Sequence, residues 1–251
     1  SHKNPEGDAI GSTLALSFAL RDLGKSVTMF NQDPIPENFL FLPGARGVCS
    51  FIPSDAHFDG ICAVDCGDPE LLGDTFTQWS TMVGILPCTM VIDHHQTNKG
   101  FGRWNCVDPA ASSTGEIIYT LIKKIPAEIT RFIAMHIFTA IMTDTGSFRY
   151  SNTTPEALEI AGEMVRIGAD PHEISQHVYE RQPLRRVRLH GLVLNTLDVS
   201  LDGKVASLTV LREMFEKTGS LKEDTEEFVN YTRSIKGVEV GILFREIEEK
   251  K

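Results

Sequence analysis

The spacing of apolar and polar positions along this chain of 251 residues predicts alternating helices and short buried strands. Helical spacing predicts helices at residues 9–23 and at about 113–124, 127–142, 155–168 and 171–179. Short apolar runs predict buried strands at 26–30, 61–64 and 88–92. The second run ends at Asp65 and the third at Asp93. Because strands alternate with helices, we expect an α/β fold with a mainly parallel, doubly wound sheet.

The pattern restarts after residue 198, which predicts a second, smaller α/β domain. A helix at about 184–197 keeps its leucine and valine side chains largely on one side and is typical of a connector. A strand, a helix and an alternating strand follow at 205–210, 223–235 and 238–244. We therefore expect a catalytic domain at 1–180, a connector at 181–198, and at 199–251 a partial domain that stops early.

Composition narrows the function classes. The net charge of −10 argues against a protein that coats long duplex nucleic acid through a basic face. A small phosphorylated substrate remains compatible with this charge if a metal pair supplies local positive charge. No apolar run approaches the roughly 20 residues that span a bilayer. Five cysteines without CxxC spacing predict reduced thiols and a cytoplasmic location, not a zinc or disulfide framework.

Candidate chemistry begins with Asp93, His94 and His95, which follow a predicted buried strand. An acid and two imidazoles are costly to desolvate there unless a cation compensates them. His2, Glu6 and Asp8 lie close together before the first helix, where Asp8 could alternatively act as its N-cap. Oxygen and nitrogen ligands of this kind suit Mn, Mg or Zn, and a mixed set favours Mn.

Two further acids end predicted elements. Asp65 follows a buried strand, and Asp144 follows an apolar helix, whose C-terminal dipole disfavours an acid. Each could by itself be an ordinary turn or loop residue. Independent explanations for all six candidates are improbable, however. Together they predict two ions about 3.5–4 Å apart, bridged by a carboxylate and a water that attacks as hydroxide. The six predicted ligands are His2, Glu6, Asp8, Asp65, His94 and Asp144.

Two other stretches each allow two interpretations, one functional and one structural. Arg149 could clamp a phosphate through a fixed guanidinium, or it could be an exposed loop residue. Residues 112–114, Ser-Ser-Thr, begin a helix whose N-terminus could receive an anion. Capping alone explains that stretch.

Four motifs in order, His-x-x-Pro-Glu-Gly-Asp, Val-Asp-Cys-Gly-Asp, Asp-His-His and Thr-Asp-Thr-Gly-Ser-Phe, resemble those of the DHH phosphoesterase superfamily. The resemblance is strongest to the nanoRNase/pAp-phosphatase branch, which pairs a DHH domain with a smaller DHHA1 domain. It implies Mn-dependent hydrolysis of short oligonucleotides and 3′-phosphoadenosine 5′-phosphate (pAp), and it suggests a homodimer.

The resemblance also assigns roles to individual residues. His2 and Glu6 would bind one Mn²⁺, Asp8, His94 and Asp144 a second, and Asp65 would bridge the two, with Mg²⁺ or another divalent ion as the alternative. Among the residues predicted to be catalytic, Asp93 would orient the neighbouring imidazole and His95 would face the scissile phosphate. His95 would also bind substrate, whereas the resemblance assigns no role to Arg149, which stays either a substrate-binding phosphate clamp or an exposed loop residue.

This chain departs from the family pattern in two places. Glu6 stands where the family usually has Asp, and the family's C-terminal Gly-Gly-Gly-His segment is not found in the sequence, so we expect the chain to be the interior of a longer protein. A cyclic-dinucleotide phosphodiesterase or a family II pyrophosphatase is the alternative within the same chemistry. A catalytically weak nucleotide-binding or regulatory protein is the alternative from another class.

Overall fold

The computed structural model describes residues 1–83 and 89–246. The chain divides into two compact units, Ser1–Glu180 and Arg181–Lys251. Both units combine helices with a three-stranded sheet, which confirms the predicted α/β class. None of the helices in the described ranges is both long and apolar enough to cross a membrane.

The first unit contains a parallel sheet in which strand order follows chain order. Its strands are β1 (Cys62–Val64), β2 (Met90–Asp93) and β3 (Trp104–Val107). Val64 pairs with Ile92, and Ile92 pairs with Cys106, so the carboxyl ends of the strands lie side by side. The predicted strand at 88–92 therefore begins at Met90 in the structure, and its first residue, Cys88, lies outside the described residues.

The predicted strand at 26–30 does not form. Only one isolated bridge, between Phe30 and Cys49, is found there. The partner segment follows a short 3-10 helix that ends at Gly47. It is extended only around Cys49, where it exchanges two backbone hydrogen bonds with the predicted strand region. A strand needs a longer extended partner than this segment supplies.

The described part of the first unit contains the five predicted helices, with shifted ends, and one helix at Asp74–Val83 that was not predicted. The helices are α1 (Gly7–Asp22), α2 (Asp74–Val83), α3 (Thr114–Ile122), α4 (Arg131–Asp144), α5 (Pro155–Ile167) and α6 (Pro171–Ser175), the last continuing as a π-helix at Gln176–Glu180. Helix α4 begins later than predicted because the Thr130 side chain caps it by accepting from the backbone N–H of Ile133. It also continues to Asp144, so this acid lies in the last turn of the helix and not after it.

Helices α1 and α4 pack antiparallel at very short distance. A Cβ added to Gly7 would overlap the Thr143 side chain, and one added to Gly11 would lie 2.5 Å from the backbone oxygen of His136. Glycine at these positions lets the two backbones approach closely. The apolar faces between them are fully buried. Burial of each large side chain stabilises the fold by about 1.5–3 kcal/mol. This rigid pair fixes the start of α1 beside the end of α4.

The second unit is built on a mixed sheet. Its elements are α7 (Leu184–Leu194), β4 (Asp198–Val199), β5 (Val205–Val210), α8 (Arg212–Thr218), α9 (Val229–Arg233) and β6 (Val240–Arg245). Strand β5 pairs antiparallel with β4 and parallel with β6. The buried side chains of Leu189 and Val193 place the helix predicted as a connector in the core of this unit, and it ends at Leu194.

One predicted helix of the second unit is interrupted. The prediction at 223–235 corresponds to a 3-10 helix at Lys222–Thr225 and to α9, which starts at Val229. Glu227 between them has a φ of 62°, in the left-handed region. A right-handed helix cannot continue through that conformation.

Candidate metal centre

The structure gathers the six predicted ligands at the carboxyl edge of the parallel sheet. Asp65 follows β1, His94 follows β2, Asp8 lies in the first turn of α1, and Asp144 ends α4. His2, Glu6 and Asp65 form one group of candidate ligand atoms, each within 4.8 Å of the others. A second group of the same compactness contains Asp8, His94 and Asp144. Ligands of α/β proteins commonly bind at this edge.

Two of the imidazoles share one arrangement. His2 Nδ1 lies 2.8 Å from the backbone oxygen of Lys3, and His94 Nδ1 lies 3.4 Å from that of Ala111. Because a carbonyl oxygen only accepts, each Nδ1 carries the proton and each Nε2 can be a ligand. A backbone carbonyl behind the imidazole is typical of metal-binding histidines.

Each free Nε2 is directed at carboxylates. His2 Nε2 is 3.5 Å from Asp65 Oδ2. His94 Nε2 is 3.8 Å from Asp8 Oδ2, 3.9 Å from Asp65 Oδ1 and 3.7 Å from Asp144 Oδ2. These separations exceed ordinary hydrogen bonds of about 2.7–3.2 Å. With metal bonds of about 2.0–2.2 Å, neighbouring ligands of one ion lie about 3–3.5 Å apart, so small adjustments would accommodate an ion.

His95 is held differently. Its Nδ1 lies 2.7 Å from Asp93 Oδ1, and the same nitrogen is 3.8 Å from Asp65 Oδ1. Asp93 therefore occupies the one nitrogen that approaches the candidate ligands. The hydrogen bond to Asp93, aided by the negative charges of Asp93, Asp65 and Asp144 and opposed by partial burial, raises the pKa of His95 to about 9. His95 is 44% exposed and thus accessible from solvent.

Asp93 forms its hydrogen bond with the imidazole of His95 and not with that of His94, which is adjacent to it in sequence. Its other oxygen, Oδ2, accepts a 2.6 Å hydrogen bond from Asn98 Nδ2. Burial opposes ionisation of Asp93, but the hydrogen bonds from His95 and Asn98 hold its pKa below the usual value. Asn98 Nδ2 also donates to the backbone oxygen of Cys66, which joins the loops after β1 and β2.

Asp8 does not cap its own helix. Helix α1 begins one residue earlier, at Gly7, and Asp8 is completely buried. Its Oδ2 accepts from the backbone N–H of Thr114 at 2.7 Å, and its Oδ1 accepts from that of Gly115 at 2.9 Å. Ser12 Oγ donates to Oδ1 as well. The carboxylate of Asp8 therefore occupies the N-terminus of α3, where the helix dipole favours negative charge.

Asp65 combines backbone strain with a buried, unsatisfied oxygen. Its φ of 54° is left-handed, a conformation that costs an L-residue about 1–2 kcal/mol. Thr114 Oγ1 donates to its Oδ1 at 2.9 Å. Its Oδ2 is buried and has no hydrogen-bond partner among the described residues. Strain and an orphaned acceptor together are typical of functional positions.

Asp144 is fixed by the chain that follows it. Asn152 Nδ2 donates to Asp144 Oδ2 at 3.1 Å and to the backbone oxygen of Ser112 at 2.9 Å. Residues 146–148 all have positive φ, which reverses the chain sharply after α4. Arg149 follows this turn with its side chain exposed, and its Nε donates to the Gly146 carbonyl.

The electrostatics of the cluster favour a cation. Burial and the nearby carboxylates raise the pKa of Asp8 well above its usual range. Burial also raises the pKa of Asp144. Glu6 keeps an exposed surface, but partial desolvation and the charges of Asp65 and Asp144 raise its pKa to about 7. Like charges crowded in this way disfavour ionisation.

The residues fit a pair of divalent ions. The four candidate carboxylates carry a formal charge of −4, equal and opposite to that of two divalent cations. Asp65 belongs both to the group with His2 and Glu6 and to a third compact group with His94 and His95, and its Oδ1 lies 3.9 Å from His94 Nε2, as expected of a bridging ligand. Its orphaned Oδ2 supplies an acceptor that nothing else in the described structure satisfies.

Sequence reasoning missed the residues that hold these groups. Asn98, Thr114 and Asn152 have no distinctive sequence signal, because polar residues in loops and at helix starts are common. Residues 112–114 were singled out as a helix start, but Thr114 donates to protein carboxylates there. Its partners in the fold could not be read from the pattern.

Comparison with known proteins identifies the family of the chain. Residues 1–177 match the family described as "DHH family, N-terminal domain". The chain is 35% identical over 251 residues to a bifunctional oligoribonuclease and PAP phosphatase NrnA from Thermus thermophilus, covering 99% of this chain and 72% of that protein. It is 26% identical over 254 residues to the protein of the same name from Bacillus subtilis, covering 99% and 77%.

A solved structure agrees in fold. The crystal structure of an exopolyphosphatase-related protein from Bacteroides fragilis matches with a TM-score of 0.84 and 31% identity, over 94% of this chain and 72% of that one. The match confirms the α/β architecture. The resemblance predicted from the four motifs is confirmed, and with it an enzyme of the phosphoesterase class. On these matches, the chain belongs to the DHH family.

Proposed function

We propose that this chain hydrolyses short oligonucleotides and pAp in the cytoplasm with the help of two Mn²⁺ ions. The observation that carries the proposal is the pair of compact ligand groups, with Asp65 in one of them and 3.9 Å from His94 of the other. Relatives named oligoribonuclease and PAP phosphatase support the substrate class. The homodimer that the family resemblance suggests stays a prediction.

Each ion is assigned to one ligand group. His2 and Glu6 would hold the first ion, Asp8, His94 and Asp144 would hold the second, and Asp65 would bridge them. When bound, such an ion pair would neutralise charge on phosphoryl oxygens and lower the pKa of a coordinated water towards neutrality. Mixed imidazole and carboxylate ligands favour Mn²⁺, with Mg²⁺ as the alternative.

The protein side chains would then position the substrate phosphate. His95, accessible and held by Asp93 through Nδ1, would present its other edge to the scissile phosphate. Arg149 would extend its guanidinium to a second phosphate, because its Nε is already fixed by the Gly146 carbonyl. No covalent intermediate on the protein is required, and we assign no serine or cysteine as a nucleophile.

A substrate panel tests the proposal. Purified protein should be assayed with Mn²⁺, with Mg²⁺ and with EDTA against pAp, a linear dinucleotide, a cyclic dinucleotide, a long single strand and pyrophosphate. We expect hydrolysis of pAp and the linear dinucleotide, stimulated by Mn²⁺ and abolished by EDTA. Preference for pyrophosphate or a cyclic dinucleotide would contradict the proposed substrates but keep the metal centre.

Glu6 separates the enzyme from the catalytically weak nucleotide-binding alternative. Its carboxylate lies with His2 and Asp65 despite the extra methylene, so we expect the chain to be active. Glu6→Asp should change kcat/KM by less than about tenfold, whereas Glu6→Gln, which removes the charge, should cost more than about 100-fold. Absence of hydrolysis in both wild type and Glu6→Asp, with no Mn²⁺ bound, would favour the binding protein.

A further inference from the structure

The turn that starts helix α3 contacts three of the proposed ligands directly and a fourth through Asn152. We call residues 111–115 the α3 entry turn. The Ala111 carbonyl accepts from His94 Nδ1, and the Ser112 carbonyl accepts from Asn152, which also holds Asp144. The turn is buried throughout. One short segment therefore reaches ligands from three other parts of the chain.

Thr114 is the centre of this turn. Its backbone N–H donates to Asp8 Oδ2 at 2.7 Å, and its Oγ1 donates to Asp65 Oδ1 at 2.9 Å. The next N–H, of Gly115, donates to the other oxygen of Asp8 at 2.9 Å. Thr114 is thus fully buried between a ligand assigned to the second ion and the ligand that bridges both.

Helix capping does not account for the Thr114 hydroxyl. Ser113 is the N-cap of α3, and its Oγ accepts from the Glu116 backbone N–H. Glu116 in turn accepts from the backbone N–H and the hydroxyl of Ser112. These contacts satisfy the helix start without Thr114 Oγ1. The hydroxyl is therefore available for Asp65 alone.

The contact with Asp65 fixes which oxygen is free. With Oδ1 engaged by Thr114, rotation of the carboxylate would break a buried hydrogen bond. Oδ2 then stays in place, 3.5 Å from His2 Nε2 and without a hydrogen-bond partner in the described part of the chain. The same residue fixes Asp8 through its backbone, so the two carboxylates are held at a set spacing.

We propose that Thr114 is a positioning residue that sets the spacing of Asp8 and Asp65 and presents Asp65 Oδ2 for metal binding. This inference rests on the proposed metal centre. A hydrogen bond to a metal ligand from a residue behind it typically contributes 10- to 100-fold to metal affinity. The hydroxyl, not the size of the side chain, carries the effect.

Thr114→Val and Thr114→Ser form a matched pair of variants. Valine keeps the shape and the backbone N–H but removes the hydroxyl, whereas serine keeps the hydroxyl. Titration calorimetry of the metal-free protein with Mn²⁺ should show about 10- to 100-fold weaker binding for Thr114→Val and less than about threefold change for Thr114→Ser. Thr154→Ala is the control outside the site, because it removes the side-chain cap of α5 at the Ala157 N–H and should lower the melting temperature without changing Mn²⁺ affinity.

Several outcomes would overturn the inference. Wild-type Mn²⁺ affinity in Thr114→Val would do so, and so would equal weakening in the valine and serine variants, which would indicate packing alone. If Thr114→Val does not fold, Thr114→Ala compared with Thr114→Ser makes the same distinction. Asp65→Asn separates the two proposals: unchanged Mn²⁺ binding in that variant overturns the metal centre itself, whereas its loss beside normal binding in Thr114→Val overturns only the role of Thr114.

Discussion

A buried titratable group lies towards each end of the α1–α4 helix pair, and the surroundings of the two groups are opposite in kind. Asp8 near one end and His136 towards the other are both completely inaccessible to solvent. Asp8 is surrounded by hydrogen-bond donors and further carboxylates. His136 contacts the Phe18 ring and donates only to the Pro43 carbonyl through Nε2. The same pair of helices therefore supports a charged end and an apolar end.

The difference shows what marks a functional cluster. Burial lowers the pKa of His136 to about 4, so the group stays neutral and needs no partner charge. The carboxylates around Asp8 crowd one another, which raises the pKa of Asp8, yet Asp8 also accepts hydrogen bonds that favour the anion, so a nearby cation would relieve this conflict. Burial alone thus identifies a core residue, whereas burial with several like charges requires an external cation.

The largest effect should come from Asp65, at the charged end. Asp65→Asn removes one of four clustered charges, so we expect the metal-free protein to melt at a higher temperature than wild type. The same change should lower kcat/KM with Mn²⁺ by more than about 100-fold. Calorimetric melting with and without Mn²⁺, together with pAp hydrolysis, measures both effects.

Asp68→Asn is the matched control for that experiment. Asp68 is exposed and caps a short 3-10 helix by accepting from the Glu70 N–H. Activity should be retained in this variant. A lower melting temperature for metal-free Asp65→Asn would mean that Asp65 stabilises the fold as a neutral core group does, and the comparison between the two ends would fail.

A smaller effect is expected at Asn98, which holds Asp93. Asn98→Ala removes the 2.6 Å hydrogen bond to Asp93 Oδ2 and loosens the Asp93–His95 pair. We expect kcat to fall about 10- to 100-fold with little change in Mn²⁺ affinity. Asn195→Ala, which loses a similar side-chain hydrogen bond to the carbonyl of Gly191 in the second unit, should behave as wild type. Equal losses in Mn²⁺ affinity and kcat would instead place Asn98 with the metal ligands.

The smallest effect concerns the apolar end and appears only in stability. The folded pKa of His136, about 4, lies below the unfolded value of 6.5, so its contribution is complete above pH 6.5 and is lost as pH falls towards 4. The shift corresponds to about 3 kcal/mol. His136→Gln, which can still donate to Pro43, should remove this part of the pH dependence.

Urea unfolding at pH 7 and pH 4.5 measures the difference. His57 is exposed, so His57→Gln is the control and should keep the wild-type pH dependence. If wild type and His136→Gln lost the same stability on acidification, His136 would not be the neutral buried group that the comparison requires.

Much of the architecture could be predicted from local pattern. The predicted helices of the first unit and strands β1 and β2 follow from apolar periodicity. The predicted helix ends differ from the observed ones by a few residues where a capping residue such as Thr130 sets the end of the helix. The strand predicted at 26–30 does not form because its partner segment is too short. No local sequence pattern indicates the length of that partner. The helix at 223–235 failed at Glu227, whose left-handed backbone depends on its surroundings.

The candidate site divides in the same way. The identities of the six proposed ligands and their positions at the ends of elements follow from the sequence, because residue type and element boundaries are local properties. The family resemblance implied that Asp93 orients its neighbouring imidazole, but in the structure Asp93 binds His95 Nδ1, and His94 Nδ1 faces the Ala111 carbonyl.

The sequence by itself determined the family, the α/β class and which acids and imidazoles could bind metal. Only the tertiary structure decided how those groups are held, because the deciding hydrogen bonds join residues far apart in the chain. Thr114 is 106 residues from Asp8 and 49 from Asp65, yet it donates to both. Contacts over such separations depend on how α1, α3 and the sheet pack, and periodicity carries no information about that packing.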